Sequence, residues 1–420
     1  MTVDDLAVGL ADAARRAGAR EALAVVERIV SCVSTRRSGE RPQRESATLD
    51  VPLLRVWSAD GREGVARGPI DGLVERAMAA LADQPHGALP EFRRPAMTGH
   101  LIEDRRWASL DDPARDELLE EMASPVNDVS DDVVLQSIRF EDACATRALA
   151  RPGSAALVEV STRFSATADV VDVTRSRKLT ASVRSRALSS VVAMPFAGFA
   201  ARRLAALASP GPALPSHVRT ILTPLATASL VAALAPCFLP GAKSFLDDAA
   251  LDARLLLLDD GSLPGGLFTR SVDDRGQPTG PITLLRDGRL DRRILHAREQ
   301  AAAGLPGVGH DVQGTPATSN LAMGAGLRTM NAILMEKRLA SVSIDDWLSL
   351  EVDFATGVAR GVAHVAVLQG NAVLGHLPDV KVTMALVDVL SHVADIAVDT
   401  DRVGHIDAPA LWLEGVRFAV

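Results

Sequence analysis

Residues 209–215 read Ser-Pro-Gly-Pro-Ala-Leu-Pro, and this stretch constrains the fold more than any other. Each proline removes a backbone donor and steers the residue before it away from helix. Three of them inside six residues stop any helix or central strand from running through. The chain is expected to divide here. With 420 residues it also exceeds what one hydrophobic core usually organises. Two domains are therefore expected, 1–208 and 209–420.

The pattern on the two sides differs. Thr2 is placed to cap a first helix whose face is Leu6, Leu10, Ala13 and Ala17, with Gly18 as its stop. A strand is expected over 22–33, then a hairpin over 51–66 turned at Asp60-Gly61, and a helix over 71–82. A proline-rich connection, 85–95, precedes a short acidic helix opened by Asp112-Pro113. Residues 134–186 alternate like strands, and a helix is expected over 196–208. Beyond the divide, strand-like runs lie at 218–222, 255–258, 282–285, 341–344 and 364–368. Turns are expected at Asp287-Gly288 and Gly370-Asn371, and helices at 226–234 and 383–394. The fold class is α+β, with a mixed N-terminal domain and a sheet-rich, barrel-like C-terminal domain.

Composition excludes several functions. Net charge is −8, which gives no general attraction to nucleic acid. Residues 220–242 carry no charge but contain Pro224, Pro236 and Pro240, so they read as a buried strand and helix rather than a membrane span. Cys32, Cys144 and Cys237 lie far apart in sequence, and an odd count predicts free thiols in a reducing, cytoplasmic compartment. The start, Met1-Thr-Val-Asp-Asp, has no basic apolar leader. Aromatic residues are 3%, with no Tyr, so Ala, Val and Leu must build the core.

The hydrolytic motifs are absent. A zincin needs two His on one helical face with Glu between them. The nine His stand at 86, 100, 217, 296, 310, 364, 376, 392 and 405, and no two lie within five residues of each other. Neither HExxH nor HExxxH occurs, and G-x-S-x-G and a phosphate-binding loop are missing too. His364 and His376 flank the Gly370-Asn371 turn and could face each other across a hairpin. A repurposed site around His310, Asp311, His364 and His376 is thus an alternative to no site at all. Asp259-Asp260 and Asp273-Asp274 sit beside glycines, where turn and capping chemistry is the simpler reading than acid–base catalysis.

The C-terminal half carries a resemblance. Residues 255–267 (LLLLDDGSLPGGL) resemble a strand plus a "DDPTLPGGL" turn; 271–279 (SVDDRGQPT) resemble "FDDEGVPT"; 284–290 (LLRDGRL) resemble "LIENGVL". Residues 316–321 (PATSNL) resemble "PSNL", 352–357 (VDFATG) resemble "VDPATG", 380–397 resemble a helix after a strand, and 409–415 (PALWLEG) resemble "SPSLLIEG". Seven segments in this order resemble the TldD/PmbA metalloprotease family. The N-terminal half matches in outline only.

That family's catalytic branch, TldD-like, is expected to carry HExxxH and a later Cys as zinc ligands. The corresponding residues here, 222–230 (LTPLATASL), hold neither His nor Glu, and no Cys follows Cys237. The resemblance therefore implies the TldE/PmbA-like, non-catalytic branch. It implies a pseudo-enzyme subunit with no metal or cofactor of its own. Zinc would lie in a TldD-like heterodimer partner, and unfolded or small peptides, the leaders of peptide natural products among them, would be the substrates. Ser319, Asn320 and His310, beside the family-like turn, are the substrate-contact candidates. A regulatory binding module, suggested by the family's older description as gyrase modulators, is a further alternative. The segment 307–312 (GVGHDV) departs from the family's "TGNA" stretch and suggests a specialised paralogue.

Overall fold

A computed structural model describes residues 1–82, 102–208, 211–214, 218–304, 308–337 and 340–419. The expected connection over 85–95 lies outside the described residues, as do His86, His100, His217 and positions 209, 210 and 215 of the expected divide.

Two sheets use separate stretches of chain. The first comprises β1 (Glu21–Arg37), β2 (Gln43–Trp57), β3 (Glu63–Arg67), β4 (Val133–Ala150), β5 (Leu157–Asp172) and β6 (Arg177–Ser185), all antiparallel in the order β3-β2-β1-β4-β5-β6. Strict alternation gives it two faces. Even positions of β1, β2 and β4, among them Ala22, Ala24, Val26, Leu54, Val56 and Ala148, pack under α1 (Val3–Arg16) and α2 (Leu73–Ala79). Even positions of β4 and β5, including Phe140, Phe164 and Val170, pack under α3 (Asp112–Asn127), α4 (Leu188–Val192) and α5 (Phe196–Ala206). Odd positions look the other way. Leu23, Val25, Leu53, Trp57 and Leu149 form a second apolar patch with Val272 from the C-terminal half.

The second sheet has eleven strands. The C-terminal strands are β7 (Arg219–Leu222), β8 (Leu257–Asp260), β9 (Pro281–Arg286), β10 (Arg289–Leu290), β11 (Asp311–Val312), β12 (Thr315–Pro316), β13 (Leu321–Met323), β14 (Ala340–Asp353), β15 (Val358–Gln369), β16 (Ala372–Ala385), β17 (Asp395–Val403), β18 (Ile406–Leu413) and β19 (Arg417–Ala419). The path runs β10-β9-β8-β13-β18-β7-β14-β15-β16-β19, with β17 on β18, and β11 and β12 pair apart as a small hairpin. The sheet does not close, since β10 and β19 end the path. The protein is α+β, with sheet curled into a half-barrel. Helix α6 (Pro224–Leu234) fills the sheet's core, packing Ala226, Leu230, Val231 and Leu234 among Leu257, Leu284, Val342, Val365 and Leu411. No described helix is long and apolar enough to cross a membrane.

Local chemistry accounts for the boundaries. Thr2 caps α1, its hydroxyl accepting from Asp5 N while the Asp5 carboxylate accepts from Thr2 N. The β9–β10 turn places Asp287 at φ 51° and Gly288 at φ 69°, the left-handed pair that a two-residue hairpin requires. The first acidic helix, α3, is longer than expected, running 16 residues under an Asp111 cap. One sequence expectation fails. The helix over 383–394 is confined to Leu386–Ser391, because Val380, Val382 and Met384 alternate into the core and 380–385 continue β16, with Thr383 opposite Arg360. Period two outweighed the helix-forming residues that follow it.

The docking of α2 on β3 depends on a missing side chain. A Cβ on Gly64 would lie 2.1 Å from the Ala77 carbonyl oxygen, whereas one on Gly9, in α1, would meet nothing within 4 Å. Gly64→Ala is therefore expected to destabilise by about 1–3 kcal/mol through overpacking. Gly9→Ala should be neutral or stabilise by up to about 1 kcal/mol through helix propensity. Thermal unfolding of the two variants should show midpoint shifts of opposite sign, or at least a clear loss only for Gly64→Ala.

Candidate functional site

Three of the family-like segments, 255–267, 271–279 and 316–321, meet in one buried loop cluster. Strand β8 ends in Asp259-Asp260, and the 316–321 segment returns beside it to start β13. Asp259 is fully buried. It accepts from Ser319 N at 2.9 and 3.0 Å and from Ser319 Oγ at 2.5 Å. His310 Nδ1 lies 3.3 Å from the other side of this carboxylate, without hydrogen-bond geometry, and both His310 ring nitrogens are buried and unpartnered among the described residues. Asn320 donates to Asp260 O at 2.8 Å and Thr269 Oγ1 at 3.0 Å, and accepts from Phe268 N at 3.0 Å. It thereby ties the Pro-Gly-Gly turn to β8 and β13. Gly266 permits that contact, since a Cβ there would lie 2.7 Å from the Asn320 amide. Nearby, burial pushes the His405 imidazole below the usual His range, against the pull of Asp259.

Ser319, Asp259 and His310 are thus side by side, yet in the wrong order for acyl transfer. A nucleophilic serine needs an imidazole nitrogen to take its proton. Here the carboxylate stands between hydroxyl and imidazole and takes the hydroxyl proton as a hydrogen bond. The three predicted residues Ser319, Asn320 and His310 are brought together. Their polar groups face the loop framework, and Asn320 is only 1% exposed.

Next to this cluster lies a buried ionic layer that joins the two sheets. Arg55, on the odd face of β2 and 1% exposed, donates to Glu63 at 2.5 Å, to Asp311 at 2.5 Å and to Asp274 O at 3.1 Å. Arg147, on the odd face of β4, donates to Asp274 at 2.5 Å and to Val272 O at 3.0 Å, with Glu159 at 3.7 Å. Arg275 completes the chain to Glu63 at 2.7 Å. Burial opposes charge on Asp274, but Arg147 and Arg270 hold its carboxyl below the ordinary range. Asp273 behaves oppositely. Burial, with Asp311 adding repulsion, pushes it up to about 6, against backbone donors from Gln277, Arg275 and Asp311. The carboxylate pairs therefore divide their labour. Asp260 and Asp273 cap turns, as the sequence suggested, whereas Asp259 and Asp274 bind distant groups.

His364 and His376 stand away from this cluster, on the β14–β16 strands. His364 on β15 stands opposite Asp346 of β14, and His376 on β16 stands opposite Ala366. Burial lowers the His364 pKa. Among the described residues, no group of three or more His, Cys, Asp or Glu is placed to hold a metal ion. Helix α6, where the sequence resemblance puts a metal motif, offers Thr227, Leu230, Val231 and Leu234 to the core. None of these is a zinc ligand, so the residues present do not fit that metal. Cys237 is 1% exposed and packs as a small apolar group in the same core. All three cysteines are free.

Removing Arg147 leaves Asp274 buried without its principal partner. Arg147→Met is expected to cost roughly 3–5 kcal/mol, read as a lowered unfolding midpoint. Asp273 gives a pH signature. Its folded pKa is raised, so its contribution is fully present below the unfolded value near 3.8 and is lost as pH rises through about 6. The stability of the natural chain relative to Asp273→Asn should therefore fall between pH 4.5 and pH 6.5. Urea unfolding of both at the two pH values checks this, and a constant difference would contradict it.

Comparison with known proteins accords with the architecture. Residues 215–420 match the PmbA/TldA metallopeptidase C-terminal domain. No curated protein sequence matches the chain. Three solved structures superpose over nearly the whole chain. A candidate modulator of a DNA gyrase from Thermotoga maritima has TM-score 0.83 and 16% identity, covering 100% of each chain. A second candidate gyrase modulator, from Bacteroides thetaiotaomicron, has TM-score 0.82 and 14% identity, covering 99% of this chain and 98% of that one. TldE from Thermococcus kodakarensis has TM-score 0.80 and 15% identity, covering 98% and 99%. At these identities the likeness is one of fold alone, and the sequence-level similarity is confined to residues 215–420, which match a PmbA/TldA metallopeptidase C-terminal domain.

Proposed function

We propose that the chain is the non-catalytic, TldE-like subunit of a TldD/TldE-type heterodimeric zinc metalloprotease acting on unfolded peptides. One observation carries the reading. The helix that would present the metal ligands, α6, instead presents alanine, leucine, valine and threonine to a packed core. A hydrolytic cation needs several convergent electron-pair donors, and one helix face of methyl groups supplies none. The metallopeptidase-type C-terminal domain and the whole-chain fold likeness to a TldE support the same reading.

In this proposal zinc sits in a TldD-like partner and the complex works in the cytoplasm. This chain shapes the chamber through which an extended peptide reaches the metal. Strands can hold such a peptide by main-chain hydrogen bonds with little side-chain selectivity. Ser319, Asn320 and His310 contribute by fixing the 259–270 loop that borders the peptide. Leader peptides of modified peptide natural products are one substrate class of this kind.

Elemental analysis of the purified chain should find no stoichiometric zinc. Peptide hydrolysis should appear only when a TldD-like subunit is added, and stay absent with either subunit alone. Tightly held zinc in this chain, or hydrolysis by this chain alone, would contradict the proposal.

A further inference from the structure

A cavity of about 190 Å³ lies between the sheets, on the same odd face that carries the ionic layer. Its floor follows from strand register. Glu27, Arg147 and Glu159 form one row across β1, β4 and β5. The next row is Ile29, Ala145 and Ser161, and beyond it Ala143 stands opposite Arg163. Small side chains at 143, 145 and 161 leave a depression that the larger rows wall in. The 267–270 loop of the C-terminal half covers it, with Phe268 43% exposed.

The charge lining this space is unequal. Arg147, Arg163, Arg186 and Arg270 face Glu27 and Glu159, in a chain whose net charge is −8. Arg147 and Arg270 are paired with Asp274 behind the wall, and Glu159 is engaged by Ser271 N and Oγ at 2.7 Å. Arg186 and Arg163 make no ion pair among the described residues. Arg186 donates only to neutral carbonyls, Thr162 O at 3.1 Å, Gly266 O at 3.4 Å and Thr269 O at 3.4 Å. Three of the five guanidinium N–H groups are spent in this way, at long range. Burial, reinforced by Arg270 and Arg163 and opposed by Glu159 and Glu27, pushes Arg186 down to about 10. A guanidinium withdrawn from water without a matched anion is costly, and a small planar oxyanion relieves that cost with bidentate geometry.

We infer that the cavity bounded by Arg163, Arg186 and the 267–270 loop binds a carboxylate. Its shared chemistry fits a free small carboxylate or the terminal carboxylate of a peptide. Arg163, exposed at the mouth, meets the anion, and Arg186, anchored by the Thr162, Gly266 and Thr269 carbonyls, turns its remaining N–H groups to it. Binding there reinforces the contact between the two halves.

The test is calorimetric titration of the purified full chain at fixed ionic strength. The probes are acetate, phosphate, N-acetyl-trialanine with a free C-terminus and the same peptide amidated. The peptide arm rests on the peptidase-subunit reading and the acetate arm does not, so the two can fail separately. Acetate is expected to bind at one site and raise the unfolding midpoint. If the source is a peptide, the free-acid peptide binds and the amide loses about tenfold in affinity. Binding of acetate without the peptide also supports the site and assigns it to a free carboxylate. Arg163→Gln, and independently Ala145→Leu to fill the floor, should each weaken carboxylate binding at least about fivefold while the ligand-free protein stays folded. The inference is overturned if neither carboxylate binds, if phosphate alone binds, or if both folded variants bind like the natural chain.

Discussion

Arg55 and Arg147 lie on a sheet face that also carries Leu23, Val25, Leu53, Trp57 and Leu149, and two of their counter-charges, Asp311 and Asp274, come from the other half of the chain. A guanidinium in such surroundings is tolerable only when its carboxylates arrive with it. Asp274 and Asp311 therefore fix how the two sheets meet. The small β11–β12 hairpin and the 271–277 turn exist at that junction to carry those acids, and the Gln313 and Asp311 amides close the network behind them. Apolar packing around Val272 supplies area. The ion pairs supply register, because a shift of one residue along a strand would put each charge on the helix-covered face.

This junction shapes what the protein can do. It places the Ser319–Asp259–His310 cluster and the arginine-lined cavity on either side of a rigid seam. In the first the serine hydroxyl is bonded to the carboxylate, and the second is lined by four guanidiniums against the two carboxylates of Glu27 and Glu159. The core of the C-terminal half is closed by an apolar α6.

Much of the fold was legible because periodicity was clean. The strands around 22–33, 282–285 and 341–344, the Asp287-Gly288 turn and the strand-then-helix reading of 220–242 all followed from alternation, caps and turn residues. The 383–394 helix was misjudged where Val380, Val382 and Met384 carried a strand pattern into a helix-like composition. Ser319, Asn320 and His310, chosen from sequence as substrate contacts, lie together because the 308–311 and 316–321 segments close beside the end of β8. The ionic layer was missed, for a physical reason. Arg55 between Leu53 and Trp57, and Arg147 two residues before Leu149, are charges on an apolar stripe. Such a position demands a buried partner, but sequence does not say which distant acid supplies it. Asp273-Asp274 looked like turn chemistry, and only Asp273 is that.

The central claim is that buried ion pairs, rather than apolar contact alone, hold the two sheets in register. Native-state hydrogen exchange at the Asp311 and Gln313 amides addresses it directly, since both N–H groups donate into the layer. Removing the Arg55 guanidinium should raise exchange at both positions together while the amides of α1 keep their protection. Unchanged protection at Asp311 and Gln313 would show that the seam is held by something else.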